Sequence, residues 1–293
     1  MAKGVLTTKI GSIYDDIPEE KYHFPKTYLN QLKQMVDDWI IYYEPSKTGI
    51  GIHGKGRQVY YALARVNSIT EEPNKSNYFY AWISDFLVFA NPVPLFSHKG
   101  LLESFLQKPG GSLNQGAIQR SVRLIPDNEF EMIVRLGFTS LPLLRNYKIA
   151  EPEAEYKRDF ITSIISRPAR DITFKTKVRE IYNNTCAVTG LQLFNGGGRP
   201  EVEAAHIKPV GSGHNGPDSI RNGIALSRTV HWLFDRGIIS LSNEYEIMVA
   251  SKSDLEQVKH IVIPGKQIDL PKELRFAPHP NFLEYHRENI FKE

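Results

Sequence analysis

The sequence predicts an α+β fold in two parts, a largely β amino-terminal domain with flanking helices and a carboxy-terminal domain of short strands and helices. Five stretches rich in Val, Ile, Tyr, Phe and Trp, each bounded by Gly, Pro, Asn or Asp, crowd the first 125 residues. A charged stretch with few apolar residues follows, and beyond residue 170 the pattern changes to a Gly-rich turn, a short strand, a polar loop and a short helix. At 293 residues the chain has room for about two cores. Its 41% hydrophobic and 24% charged content is ordinary globular usage, which excludes disordered and fibrous classes. The domains are expected at 1–145 and 171–293, with 146–170 as the linker.

Residues 4–10, 39–45, 57–69, 78–89 and 120–125 read as the five strands. Residues 27–37 carry Leu29, Leu32 and Val36 at helical spacing, and Ile125, Pro126 and Asp127 open a second helix with Glu129 close behind. Residues 172–184 read as a helix leading into the second domain. There Asn195, Gly196, Gly197 and Gly198 offer turn residues able to take positive φ, and residues 202–207 alternate as a short strand, which puts His206 on the second strand of a hairpin. After a loop at 211–217, Ser227 reads as an N-cap, 228–236 as a short helix and Gly237 as its stop. A Pro-containing stretch and a helix over 281–291 follow, where His286 reads as a surface or packing histidine. Residues 49–56 nearly match a phosphate-cradling loop. Gly56 stands where that loop needs a metal-binding hydroxyl, however, and an aromatic strand follows it, so the stretch reads as a turn.

Three residues of the second domain, His206, Asn222 and His231, carry the chemistry. Phosphodiester hydrolysis at a one-metal site needs a base that deprotonates water and a cation that stabilises the charge growing on the leaving oxygen and scissile phosphate. His231 and Asp235 stand four apart on the expected helix, a spacing that puts imidazole and carboxylate on one face, able to grip one cation. Asn222 has a side-chain amide able to hold the loop by bonding backbone groups. The separations are 222 − 206 = 16 and 231 − 222 = 9. With AAHIKPV followed by NGIALSRTVHWLFDRGIISLS, they resemble the HNH endonucleases of the ββα-metal kind, in the subclass common in restriction enzymes. The resemblance implies one divalent metal, Mg²⁺, Mn²⁺, Co²⁺ or Ni²⁺, with His206 as general base, Asn222 as structural residue, His231 as metal ligand and Asp235 as a second ligand. Many such sites place Asp or His directly before the base, where this chain has Ala205. Glu203, two residues from Ala205 on the same strand face, can supply a carboxylate directly or through water.

In the first domain, GSIYDDIPEEKYHFPKTYLNQLKQMVDDWIIYYEP, RQVYYALARVNSI, FYAWISDFLVF and RSVRLIPDNEF are similar to the PUA-like superfamily of small β-barrels, which includes EVE, ASCH, YTH and SRA domains. That resemblance, over residues 4–138, implies a PUA-like β-barrel holding a flipped base in an aromatic pocket. Strand alternation sends about half of the aromatics to the core. Tyr22, His23, Trp39, Tyr43 and Trp82 are the pocket candidates, with Asp85 as an acceptor from an exocyclic amine. A base-reading barrel before an HNH nuclease resembles the modification-dependent restriction enzymes, with 5-methyl- or 5-hydroxymethylcytosine as the expected mark. Competing readings are an HNH nuclease acting on unmodified DNA or RNA, and a non-catalytic reader in which Ala205 marks a lost metal site.

Double-stranded DNA is the expected partner. One HNH site cuts one strand, so a homodimer is expected. The formal charge of +3 is small, and a DNA surface must come from local clustering; Arg167, Arg170, Lys208, Arg221, Arg228 and Arg236 are the candidate backbone contacts. The single cysteine, Cys186, excludes an intramolecular disulfide and a four-cysteine zinc ribbon, and its apolar CAVTG setting reads as buried packing. With no run of about twenty apolar residues and no signal segment, the expectation is a protein of the prokaryotic cytoplasm that touches no membrane.

Overall fold

The structure, a computed structural model, describes residues 2–9, 11–46, 56–97, 100–139, 167–211, 213–251 and 255–292. The chain divides into two units, Met1–Arg170 and Asp171–Glu293. Residues 140–166, the greater part of the expected linker, and 49–55 of the glycine-rich turn lie outside the described residues. No helix among the described residues is long and apolar enough to cross a membrane.

The strands of the first unit are β1 (Gly4–Thr7), β2 (Lys21–Pro25), β3 (Trp39–Glu44), β4 (Val59–Glu71), β5 (Tyr78–Pro94), the paired stubs β6 (Phe96–Ser97) and β7 (Gly100–Leu101), and β8 (Val122–Leu124). Six of them form one sheet in the order β2-β5-β4-β3-β1-β8, curled into a half-barrel. All its pairs are antiparallel except β1 with β3. The helices are α1 (Leu29–Gln34), α2 (Gln115–Ile118) and α3 (Asp127–Phe138). Central β3 is buried on both faces. Ile40 and Tyr42 pack with Leu32 and Met35 beside α1, whereas Ile41 and Tyr43 pack with Phe130, Ile133, Val134 and Phe138 of α3. Covering both faces is why WIIYYE reads as a continuous apolar run.

Strand β2 was not expected from the sequence. It is a short edge strand ending in Pro25, and its sole partner in the sheet is β5, so neither length nor a run of β-branched residues announces it. At α3 the N-cap position belongs to Pro126; Asp127 is instead the first helical residue and, with Glu129, places negative charge in the first turn.

Helix α4 (Arg167–Ile181) leads into the second unit, which continues with β9 (Glu203–His206), β10 (Gly223–Leu226), α5 (Arg228–Asp235), β11 (Ile239–Leu241), β12 (Ile247–Val249), α6 (Leu255–Lys259) and α7 (Pro280–Asn289). The hairpin differs from expectation. The Gly-rich turn is built as expected, with Asn195 Oδ1 accepting from the Gly197 and Arg199 amides and Gly198 at φ 76°, but it closes only a single bridge between Phe194 and Pro200. His206 therefore lies on the first strand of its pair, and β10, after the loop, is the partner.

Ser227 occupies the N-cap of α5 without a side-chain cap bond; the Glu201 carboxylate accepts from the Arg228 amide at 2.9 Å instead. Val230, Leu233 and Phe234 bury one face of the helix, and Gly237 (φ 66°) stops it. Cys186 is buried in the same core. On α7, His286 is buried, stacks on Phe234 at 3.8 Å, contacts Ser240 Oγ through Nδ1 at 2.9 Å and reaches the Phe234 carbonyl through Nε2 at 3.2 Å. Burial pushes its imidazole down from 6.5 to about 4, against the opposing bond to Phe234. A depressed folded value means the unfolded chain takes up the proton first. Stability is then fully present above pH 6.5 and lost as pH falls through about 4, by about 3 kcal/mol in all. Urea midpoints of wild type and His286→Gln should therefore converge as pH is lowered from 7.5 to 4.5; a gap that does not change with pH would contradict this assignment.

Candidate active site

The site is set by how the chain returns from β9 to β10. Asn222 is fully buried at the end of that loop, where its Oδ1 accepts from the Lys208 amide at 2.8 Å and its Nδ2 donates to the carbonyls of Lys208 and Pro217, both at 2.9 Å. The next residue, Gly223, pairs directly with His206. A Cβ at Gly223 would sit 2.4 Å from Val178 Cγ2 and 2.9 Å from Phe174 Cε2, so only glycine lets α4 lie this close. The close approach lets Phe174 stack face to face on the His206 ring, at 3.8 Å and 8° between planes. His206 Nε2 meets Asp218 Oδ1 at 3.0 Å, while Nδ1 has no hydrogen-bond partner among the described residues. With the carboxylate accepting, Nε2 carries the hydrogen and Nδ1 keeps its lone pair.

Helix α5 brings the second half. His231 Nε2 lies 3.3 Å from Asp235 Oδ2, one turn on, and its Nδ1 lies 3.0 Å from Glu203 Oε2. Glu203 Oε1 also accepts from Arg228 Nε at 3.1 Å. Ala205 is fully buried, and Glu203 is the strand acid that reaches the helix. Burial lifts the Asp235 carboxyl above its ordinary range, against the pull of His231, His206 and Arg236. For Glu203 burial also works upward, but the bond and charge of His231, together with Arg228, hold it below its usual value.

Among the described residues no three ligating side chains converge as a ready-made metal cage. The His231 and Asp235 pair nonetheless suits one ion: two ligands at right angles about an octahedral cation with bonds of about 2.1 Å stand about 3 Å apart. Imidazole nitrogen with carboxylate oxygen is also the donor chemistry of first-row divalent ions.

In the first unit, a cavity of about 260 Å³ opens along β2, between that strand and the loop leaving β1. Tyr22 and His23 line it with Tyr14, Asp16, Phe24 and Tyr28. The other expected pocket residues lie elsewhere. Tyr43 is in the core under α3 and Trp39 packs against that core. Trp82 is 40% exposed with Nε1 on Thr70 Oγ1, and Asp85, at φ 51°, accepts from Ser84 and from Arg170, the last residue of the first unit.

Residues 186–242 match the family model described as HNH endonuclease. The second unit carries an HNH endonuclease domain. Over the whole chain, the structure is similar to the modification-dependent TagI restriction endonuclease, with 13% identity, a TM-score of 0.35, and coverage of 97% of this chain and 81% of that one. It is also similar to the N-terminal domain of McrB from Staphylothermus marinus, with 11% identity, a TM-score of 0.29, and coverage of 45% of this chain and 92% of that one. No curated protein matches the sequence.

In the HNH domain, Arg228 and Arg236 stand exposed at the two ends of α5, Lys208 lies over the Tyr285 ring at 4.7 Å, and Arg221 is half-buried. The side chain of Arg167 lies outside the described residues. Sequence reasoning missed Asp218 and Phe174. An aspartate four residues before Asn222 is common in a polar loop, and Phe174 and Val178, spaced four apart, match the apolar side of any helix, so neither position carries a signal of its own. Gly223→Ala should force Phe174 off the His206 ring, at a cost of about 1–3 kcal/mol in stability, and slow DNA cutting at least tenfold. Thermal melts with single-turnover cleavage check this; unchanged cutting would mean that the ring stack is dispensable.

Proposed function

We propose that this chain is a modification-dependent DNA endonuclease. Its first unit receives an extruded modified cytosine, 5-methyl- or 5-hydroxymethylcytosine, in the cavity along β2, and its HNH domain hydrolyses phosphodiester bonds with one divalent metal. The observation that carries the hydrolytic half is the arrangement of His206 with Asp218 on one side and His231 with Asp235 on the other, inside the segment that matches the HNH endonuclease family.

In this reading, His206 accepts a proton from water at Nδ1, the ring nitrogen with no hydrogen-bond partner among the described residues. Asp218 fixes the tautomer and steadies the imidazolium that forms, and Phe174 holds the ring plane. A divalent cation such as Mg²⁺, Mn²⁺, Co²⁺ or Ni²⁺, held by His231 and Asp235 with Glu203 in reserve, would offset the charge growing on the scissile phosphate and leaving oxygen. Asn222 acts through backbone alone, keeping the loop that presents Asp218. Arg228 and Arg236 supply positive charge at both ends of α5 for the DNA backbone. Water and phosphate oxygens would complete the coordination that Ala205 leaves short. A double-strand break then takes two copies of the chain or two events.

The reader half is supported by the cavity itself, where amphipathic rings meet a half-buried carboxyl, the combination suited to stacking a base and accepting from an exocyclic amine. Extrusion costs a few kcal/mol of unstacking, which only an accepted base returns. The test is a digest of two duplexes of one sequence, differing only in cytosine modification, with each metal in turn. Cutting confined to the modified duplex is expected; equal cutting would refute the dependence on modification. His206→Ala should abolish cutting while leaving DNA affinity unchanged, and a fully active variant would overturn the base assignment. Asp218→Asn should lower kcat by about ten- to a hundredfold at constant KM, read from steady-state cleavage.

A further inference from the structure

We propose that Asp16 is the group that reads the extruded base, and that the cavity along β2 selects an amidine edge, a bare ring nitrogen beside an exocyclic amine, as cytosine presents at N3 and N4 and adenine at N1 and N6. This rests on the cavity being the base pocket.

The geometry at Asp16 is fixed by a reciprocal clasp between the loop and β2. Asp16 Oδ1 accepts from the His23 amide at 2.7 Å, and His23 Nδ1 accepts in turn from the Asp15 amide at 3.2 Å. His23 Nε2 is held by Glu72 at 2.6 Å, so the ring cannot turn away. The second carboxyl oxygen of Asp16, Oδ2, has no hydrogen-bond partner among the described residues, and the residue lines the cavity with Tyr14, Tyr22 and Tyr28. Tyr22 has already spent its hydroxyl hydrogen on the carbonyls of Thr7 and Ser121, at 3.2 and 3.3 Å, and among the described lining residues Asp16 is the one carboxyl, with an oxygen still open.

Oδ1, bonded once, keeps a lone pair for an exocyclic amine, and Oδ2, as a hydroxyl, donates to the adjacent ring nitrogen. A ring nitrogen of cytosine or adenine is basic and shares that proton, which gives the pair the strength of a charge-assisted fork; the carbonyl of thymine is not basic and cannot. The state required is available at neutral pH. Burial pushes the Asp16 carboxyl up to about 7, opposed by the His23 amide and raised further by Asp15. The charged or titratable groups facing it are Lys9, Tyr14 and Asp15 from the loop, Lys21, Tyr22 and His23 from β2, Tyr28 from the turn before α1, and Tyr42 from β3. Lys21 is itself paired with Asp15.

The sign of the pH dependence follows. The proton-bearing form dominates below about 7, so binding of an amidine-edged base should be constant there and weaken by about tenfold per pH unit above it. Asparagine reproduces the donor and acceptor of the protonated acid and cannot titrate. The experiment measures binding of the full-length chain, in EDTA, to duplexes with one extrahelical cytosine, 5-methylcytosine, adenine, N6-methyladenine or thymine, from pH 5.5 to 8.5. Wild type should prefer the amino-bearing bases over thymine and lose affinity above pH 7. Asp16→Asn should give a flat profile and a weakened preference, since its amide donates without a shareable proton and pairs with the thymine edge as well, and Asp16→Leu should lose the preference. The ratio of cytosine to adenine binding identifies which base of this class the cavity takes. An Asn variant that still titrates like wild type, or a Leu variant that still discriminates against thymine, overturns the assignment. Wild type that binds all five no better than a fully paired duplex overturns the base pocket itself, a separate failure.

Discussion

One buried primary amide sets the geometry of the candidate site. The three hydrogen bonds of Asn222, to both backbone groups of Lys208 and to the Pro217 carbonyl, close the loop between β9 and β10 on itself. Because that amide is fully buried, each bond left unmade would carry a desolvation penalty of about 1–3 kcal/mol, so the loop has one favourable closure. Asp218 stands within the loop and Gly223 immediately after it, and each in turn constrains His206, one by a hydrogen bond and the other by admitting Phe174. The position of the imidazole is therefore decided by a residue that never touches it.

Much of this half was legible in the sequence because its parts are close along the chain. His206, Asn222, His231 and Asp235 fall within thirty residues, and turn and stop residues such as Asn195 and Gly237 mark the elements that carry them. What escaped was the partner strand. The Gly-rich turn looked like the tip of a hairpin, but the strand after it pairs forward with β10, since Asn222 draws the later segment back onto it. Asp218 and Phe174 escaped for a related reason: a loop aspartate and a helix phenylalanine have common structural roles, and only contact across the fold separates those from a role at a histidine ring.

The first unit was less legible because its cavity draws on segments distant in sequence, from Thr7 to Ser121. Strand alternation predicts two faces, one inward and one outward, but β3 is covered on both by α1 and α3, so Trp39 and Tyr43 went to packing instead of a pocket. The cavity formed at β2, the edge strand that composition concealed. Environment then separates carboxylates that look alike in sequence: Glu203, beside an imidazole and a guanidinium, is held in its charged form, while Asp16, with one backbone amide as partner, is lifted toward neutrality by burial.

Gly237 bears on how the molecule would tolerate substitution. Its α-carbon faces the backbone of α7's end so closely that a methyl group there would lie 1.9 Å from the Ile290 carbonyl, and the Lys292 amide bonds back to the Gly237 carbonyl at 2.9 Å. The last turn of the helix bearing His231 and Asp235 is thus buttressed from behind by the segment 286–292, with His286 wedged between Phe234 and Ser240. A side chain at position 237, or a loss of the bond from Lys292, would loosen the helix bearing His231 and Asp235 from its far side without altering any side chain at the site.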